Sequence, residues 1–416
     1  MITIKTLCTL AIAILVALAS PLNANDGFPK FSWERVPKYA HIGIGNGISE
    51  EQIKFLADNY ELITFSGGVG VKDSVEQRIG ETTRAIKKIN PEAKVLFYWS
   101  PDIPKHQWKN SNASFPKDGY VRPAVKGSTK GEQSFDVSKP AVREWWTDVA
   151  KVACTKHSCD GVFADGLTAG TPGGPWSNLF GKEKGAELDA GMKTMMKLAR
   201  KKLGPDKMLI FNPLHGDDGK HGTLGADYLP VTDGAMVDDF DRGANIRRQS
   251  NQYLDSSIET MNKASKDGKL VIFKAWPGFT WWSDKELIKK PHADQLAVAK
   301  KNLTFPLACF LVGAGPNCYF CYTWGWLPEY GTFDRYPEFD KQLGPPKADA
   351  VRAGWTFRRE FQHASVFVDI EKRIGRIDWK PSTKKSAAVK KESLDAGNSK
   401  AEQGGAGQPA TRSESK

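Results

Sequence analysis

DGVFADG, residues 160–166, places four small or apolar residues, Gly161 to Ala164, between the carboxylates of Asp160 and Asp165. The stretch is short, bounded by glycine and followed by the turn-rich TAGTPGG (168–174), so it reads as a buried strand and not as a helix. Burying such a strand gains nothing from an acid at its exit, because a desolvated carboxylate is costly unless something pairs with it. Asp165 is therefore a candidate for chemistry. Asp160, at the strand entry, reads as structural, either capping the strand or pairing with a cation.

Working outward, the same alternation of a short apolar run and a longer amphipathic one recurs through the chain. Strands are expected at YAHIGIG (39–45), ELITFSG (61–67), KVLFYWS (94–100), DGVFADG, KMLIFNP (207–213), GAMVDDF (234–240), KLVIFKAW (269–276) and CYFCYTW (318–324). Helical periodicity covers 49–60, 75–89, 140–153, 187–202, 252–265 and 293–312, while 214–233 carries no convincing helix. Eight such units in one chain argue for a closed (β/α)8 TIM barrel over an open doubly wound sheet. Past Trp326 the residues look like a long loop and then short strands, a small C-terminal β appendage. The expected organisation is a signal peptide at 1–24, the barrel at 25–326, the loop and strands packed on it at 327–380, and a disordered basic tail at 381–416.

Residues 1–24 have one early positive charge, Lys5, an apolar run and small residues near Ser20 and Ala24, the layout of a cleavable secretory signal. A secreted or periplasmic protein with no integral membrane segment after cleavage is expected. The formal charge of +11 is spread along helix faces and the tail. No cluster resembles a nucleic-acid motif, and export argues against that partner. Five cysteines remain beyond Cys8. Cys154 and Cys159 are close enough in sequence for a local disulfide, whereas Cys318 and Cys321, with Cys309, suit core packing or a bridge better than a zinc site.

In a barrel of this type the active site is built at the carboxyl ends of the strands. Asn46, Ser66, Trp99, Asp165, Asn212, Asp238, Lys274 and Trp324 all lie at or just past those ends. A second acid comes from MVDDF (236–240). Adjacent strand residues face opposite sides, so Asp238 enters the mouth if Met236 does, and Asp239 is the alternative acid if the register slips by one. Two carboxylates facing one cleft are what glycosidic cleavage needs: one protonates the leaving oxygen, the other attacks the sugar carbon or activates water. Flat aromatic faces suit the apolar side of a sugar ring, and thirteen tryptophans are available. Tyr98, Trp99, Trp276 and Trp324, together with Asn46, Asn212, His215 and Lys274, are the candidate substrate-binding residues, and Trp176, Trp281, Trp282 and Trp326 fall in loops of the same kind. No dinucleotide fingerprint, P-loop, H-E-x-x-H or G-x-S-x-G elbow is present, so neither a cofactor nor a metal is expected.

FDVSKPAVREWWTDVAKVA (135–153), CDGVFADG (159–166), DGAMVDDF (233–240) and LGPPKADAVRAGWTFRREFQHASVFVD (343–369) resemble the glycoside-hydrolase-like TIM-barrel proteins, and more distantly the endo-α-1,4-polygalactosaminidase barrels. The likeness spans about 36–379. It implies a catalytic pair at the ends of the fourth and sixth strands, carried here by Asp165 and Asp238. The sixth-strand acid in such barrels is usually Glu; this chain has Asp, shorter by one methylene. The resulting expectation is an exported glycoside hydrolase acting on a polysaccharide or glycan, with Asp165 as nucleophile or electrostatic stabiliser and Asp238 as general acid/base. The alternative is a non-catalytic carbohydrate-binding barrel.

Overall fold

The computed structural model describes residues 27–45, 47–67, 74–100, 108–121, 134–172, 174–220, 222–241 and 249–380. Eight parallel strands lie side by side in chain order: β1 (Tyr39–Gly43), β2 (Leu62–Ser66), β3 (Lys94–Trp99), β4 (Gly161–Asp165), β5 (Met208–Leu214), β6 (Gly234–Phe240), β7 (Leu270–Ala275) and β8 (Cys318–Tyr322). A parallel bridge joins Lys38 to Phe320, and the Phe320 N–H donates to the Pro37 carbonyl at 2.8 Å, which brings β8 back to β1. The chain is a TIM barrel, and all eight expected strands form.

Strand alternation sorts the side chains into two populations. Tyr39, Leu62, Leu96, Phe163, Met208, Ile210, Met236, Leu270, Ile272, Tyr319 and Cys321 cluster inside the barrel. Their neighbours, among them Ile42, Phe65, Phe97, Val162, Phe211, Val237 and Phe273, point outward into a larger core beneath the helices. The barrel interior is thus packed, and a cavity opens at its carboxyl end. At the crowded base, Gly161 and Gly234 leave no room for a side chain: a Cβ would collide with the carbonyl oxygens of Met208 and Leu270. Asp160 also lies at this end, with Lys87 Nζ 2.9 Å from Oδ1 and the Val95 N–H donating to Oδ2 at 2.8 Å. Two fixed donors account for that charge.

The helices follow their sequence signals. Ser49 opens Glu50–Asn59 with a reciprocal capping box, Gln52 N–H to Ser49 Oγ and Ser49 N–H to Gln52 Oε1. One departure concerns 293–312, which is not one helix but two, His292–Asn302 and Thr304–Gly313, bent by 46°. Pro306 explains the break, since its ring excludes the carbonyl four residues earlier, at Asn302, from the helical ladder. Among the described residues of 214–233 the helical turn is 3-10, Ala226–Val231. Among the described residues no single helix is long and apolar enough to cross a membrane.

The C-terminal strands β9 (Val351–Ala353), β10 (Thr356–Glu360), β11 (Ala364–Asp369) and β12 (Ile374–Trp379) form an antiparallel meander. Phe357, Ala364, Val366 and Val368 are buried, and the guanidinium of Arg359 donates to the Leu311 and Ala314 carbonyls, closing the end of helix Thr304–Gly313. The expected Cys154–Cys159 bridge is absent. All five described cysteines are free and buried, and Cys159 Sγ lies 3.9 Å from Thr83 Oγ1.

Candidate active site

The free space at the barrel mouth is a cavity of about 280 Å3, lined among the described residues by His41, Ser66, Tyr98, Trp108, Phe163, Asp165, Asn212, Met236, Asp238 and Trp326. Asp165 ends β4. Gly166 adopts a left-handed conformation, φ 82°, and turns the backbone away into the 3-10 helix Leu167–Gly170, so the carboxylate is left at the mouth and caps no helix. Tyr98 Oη donates to Asp165 Oδ2 at 2.6 Å, and Asn212 Nδ2 donates to Oδ1 at 2.8 Å. Both donors follow from register. Asp165 pairs with Asn212 across β4 and β5, and Tyr98 pairs with Phe163, on which its ring stacks at 6.3 Å.

Asp238 stands two strands away on β6, inward like Met236. Its Oδ1 accepts the Asp239 N–H at 2.8 Å. Burial in the mouth, and then the charge of Asp239, push its carboxyl up from 3.8 to about 6. Asp239 itself has φ 62°, and the pairing of β6 with β7 shifts register between Val237 and Phe240, so the strand is bulged at the acid. Asp239 consequently faces a neighbouring cavity of about 400 Å3, which it shares with His215, Asp218, Gln249 and Tyr253. The two adjacent acids serve different spaces.

The structure places several expected ligand contacts away from this cavity. Trp99 points out of the barrel where Tyr98 points in; it is 2% exposed and packs against Trp108, Trp145 and Trp146. Trp324 is fully buried against Phe279 and His292. Trp176 is buried in the helix Pro175–Phe180. Lys274 does point inward, but lies wholly buried below the cavity wall, its ammonium held by the Ala275 and Thr323 carbonyls and lying 3.7 Å from the centre of the Trp276 ring. Trp276 is 3% exposed and borders a different cavity. His215 lies in the cavity of Asp239 and not with Asp165. Asn46 falls outside the described residues.

His41 also lines the cavity, although it does not lie at a strand end. It sits in mid-strand on β1, where the inward sequence Tyr39, His41, Gly43 is the signal that would have found it. It is 5% exposed, its ring lies 4.6 Å from that of Trp326, and its buried Nδ1 has no protein partner. Burial, and next the Lys274 charge, drive its pKa down to about 3. The imidazole is therefore neutral and presents polar nitrogens without a charge. Among the described residues no group of three His, Cys, Asp or Glu could hold a metal ion. The arrangement can orient one polar ring between an acceptor carboxylate, a protonatable carboxyl and an aromatic wall.

A family model described as hypothetical glycosyl hydrolase family 15 matches residues 87–365, a span that carries Asp165, Asn212 and Asp238 but neither His41 nor Ser66. Among solved structures, the glycoside hydrolase domain of PelA from Pseudomonas aeruginosa is 13% identical over 65% of this chain and 91% of that one, with a TM-score of 0.40. Ega3 of Aspergillus fumigatus, in complex with galactosamine, is 12% identical over 71% and 94%, with a TM-score of 0.40. The α-galactosidase TtGalA of Thermus thermophilus is 16% identical over 83% and 68%, with a TM-score of 0.43. No curated protein matches the chain.

Proposed function

This chain belongs to hypothetical glycosyl hydrolase family 15, and from that premise we propose that it is an exported enzyme that hydrolyses a glycan with Asp165 and Asp238. The observation that carries the reading is one cavity with two carboxyls in opposite environments. Asp165 accepts a hydrogen bond at each oxygen, which suits an anion, while Asp238 is pushed up to about 6 and holds a proton in mildly acidic solution. Pairs of this kind divide acid and base work between them.

In the reaction, the Asp238 carboxyl gives its proton to the glycosidic oxygen as the bond to the anomeric carbon breaks. Asp165 meets the positive charge that develops on that carbon. At a carboxyl gap of about 5–5.5 Å it would bond to the carbon and be displaced by water; at about 6.5–9.5 Å it would direct a water at it. Either way water supplies the hydroxyl. Tyr98 and Asn212 hold the Asp165 carboxylate in place, and His41 and Trp326 offer a neutral polar contact and an aromatic face to the sugar. The charge and apolar run of residues 1–24 support export.

A reducing-end assay over a polysaccharide panel tests the reading. New reducing ends should appear with the wild type and fall by orders of magnitude with Asp165→Asn and with Asp238→Asn. Equal release by all three proteins, or none by any, overturns it.

A further inference from the structure

The catalytic cavity, at about 280 Å3, lies just below the roughly 300–1,000 Å3 of small-molecule sites and has room for a single sugar ring. Its aromatic wall does not stop there. The Trp326 ring packs on Trp276 with centroids 5.5 Å apart at 78°, Trp276 on Trp282 at 5.0 Å and 81°, and Trp282 on Trp281 at 5.6 Å and 83°. Trp276 is the buried buttress of this series. Trp281 and Trp282 are 45% and 38% exposed, an adjacent pair of large apolar rings left in water beside the mouth.

An exposed tryptophan pair in an ordered loop asks for a reason, since tryptophan, with an apolar ring and a polar edge, is enriched at contact surfaces. Here the loop is pinned. The Trp281 N–H donates to the Trp324 carbonyl at 2.8 Å, Thr280 and Ser283 are joined through their hydroxyls at 2.8 Å, and the Trp281 ring stacks on Tyr330 at 12°. Rings held in advance lose little freedom when a ligand covers them. From their continuity with the cavity through Trp276 and Trp326 we propose that Trp282 and Trp281 form an aromatic track for further units of a polymeric glycan, whose cleaved unit occupies the cavity. The substrate is then a chain and not a disaccharide. This rests on the cavity being the glycan-cleaving site.

The test uses the inert Asp165→Asn protein in native gels containing hydroxyethyl cellulose, polygalacturonate or glycol chitosan, a neutral, an acidic and a basic polymer. At least one should retard it, and adding Trp281→Ala with Trp282→Ala should weaken that retardation tenfold or more. The pair Trp281→Phe and Trp282→Phe should restore most of the loss, which a misfolded protein would not do. Retardation by none of the three polymers overturns the track, as does retardation untouched by the alanine pair. So does a sedimentation change showing that the alanine pair dissociates a dimer, because the rings would then cover a second copy. If the wild type releases reducing ends from a polymer that the alanine variant binds equally well, the track fails and the catalytic reading stands. If retardation depends on the tryptophans and the wild type releases none from that polymer, the rings bind glycan but the catalytic reading fails, and with it the part of the proposal that feeds a cleaved chain to the cavity.

Discussion

Replacing Asp238 by Asn should change how stability depends on pH, and in a direction opposite to that of a carboxylate in an ion pair. Folding raises the Asp238 carboxyl from 3.8 to about 6, first by burial and then through the Asp239 charge. Between those values the folded protein holds a proton that the unfolded chain has released, so this group favours folding less and less as pH rises through the interval. The gap corresponds to about 3 kcal/mol. Wild-type stability carries that loss between about pH 3.5 and 7, and the Asn variant does not. The stability of Asp238→Asn relative to wild type should therefore grow by about 3 kcal/mol over the same range, whatever the fixed cost of the substitution. With roughly 2.1 cal/mol/K of unfolding entropy per residue, that is a relative rise of roughly 3 °C in thermal midpoint for a chain of this size. Thermal melts of both proteins at half-unit pH steps would measure it. A midpoint difference that stays flat from pH 3.5 to 7 would refute the claim that Asp238 is desolvated in the mouth. The same group should make kcat/KM decline as pH rises past about 6, where the general acid loses its proton.

Three further outcomes follow from the geometry. Asp165→Asn should lower turnover by orders of magnitude with a melting point close to wild type, whereas Asp239→Asn, whose side chain faces the neighbouring cavity, should be mild; the reverse order would identify Asp239 as the acid. Tyr98→Phe removes one donor to the Asp165 carboxylate, and since a hydrogen bond to a charged group contributes about 1.5–3 kcal/mol, kcat should drop about 10- to 100-fold while circular dichroism is unchanged. Asp160→Ala leaves the Val95 N–H and the Lys87 ammonium without their acceptor at the base of the barrel, and should cost about 3 kcal/mol in urea unfolding with kcat preserved; a loss of kcat in the still-folded variant would be inconsistent with this placement.

The barrel was legible in the sequence because its strands are written in local code: eight short apolar runs, each closed by a polar or aromatic residue. The inward partners Phe163 with Asp165 and Met236 with Asp238 were legible for the same reason, since side chains two residues apart on a strand share a face whatever the rest of the chain does. Applied without exception, that rule also excludes Trp99 beside Tyr98 and brings in His41 beside Tyr39. For both, residue type and place in the strand point one way and parity the other, and parity decides. The helix break before Pro306 was likewise readable from the ring of that proline.

Other features had no local signature. Lys274 has the inward parity of a ligand-binding residue, yet its ammonium is taken by the carbonyls of Ala275 and of Thr323, the latter just past the end of β8. Trp324 and Trp326 are two residues apart beyond the end of β8, and only the packing around them makes one a buried prop and the other a cavity wall. The bulge that turns Asp239 away from Asp238 depends on how β6 meets β7. The sequence by itself determined the strands and their faces, Asp165 and Asp238 turning inward among them, because the direction of a side chain is set by its own backbone. Only the tertiary structure decided which inward groups reach the open cavity, because burial and hydrogen-bond partners are supplied by residues as far apart as His41 and Trp326, which meet only once the barrel closes.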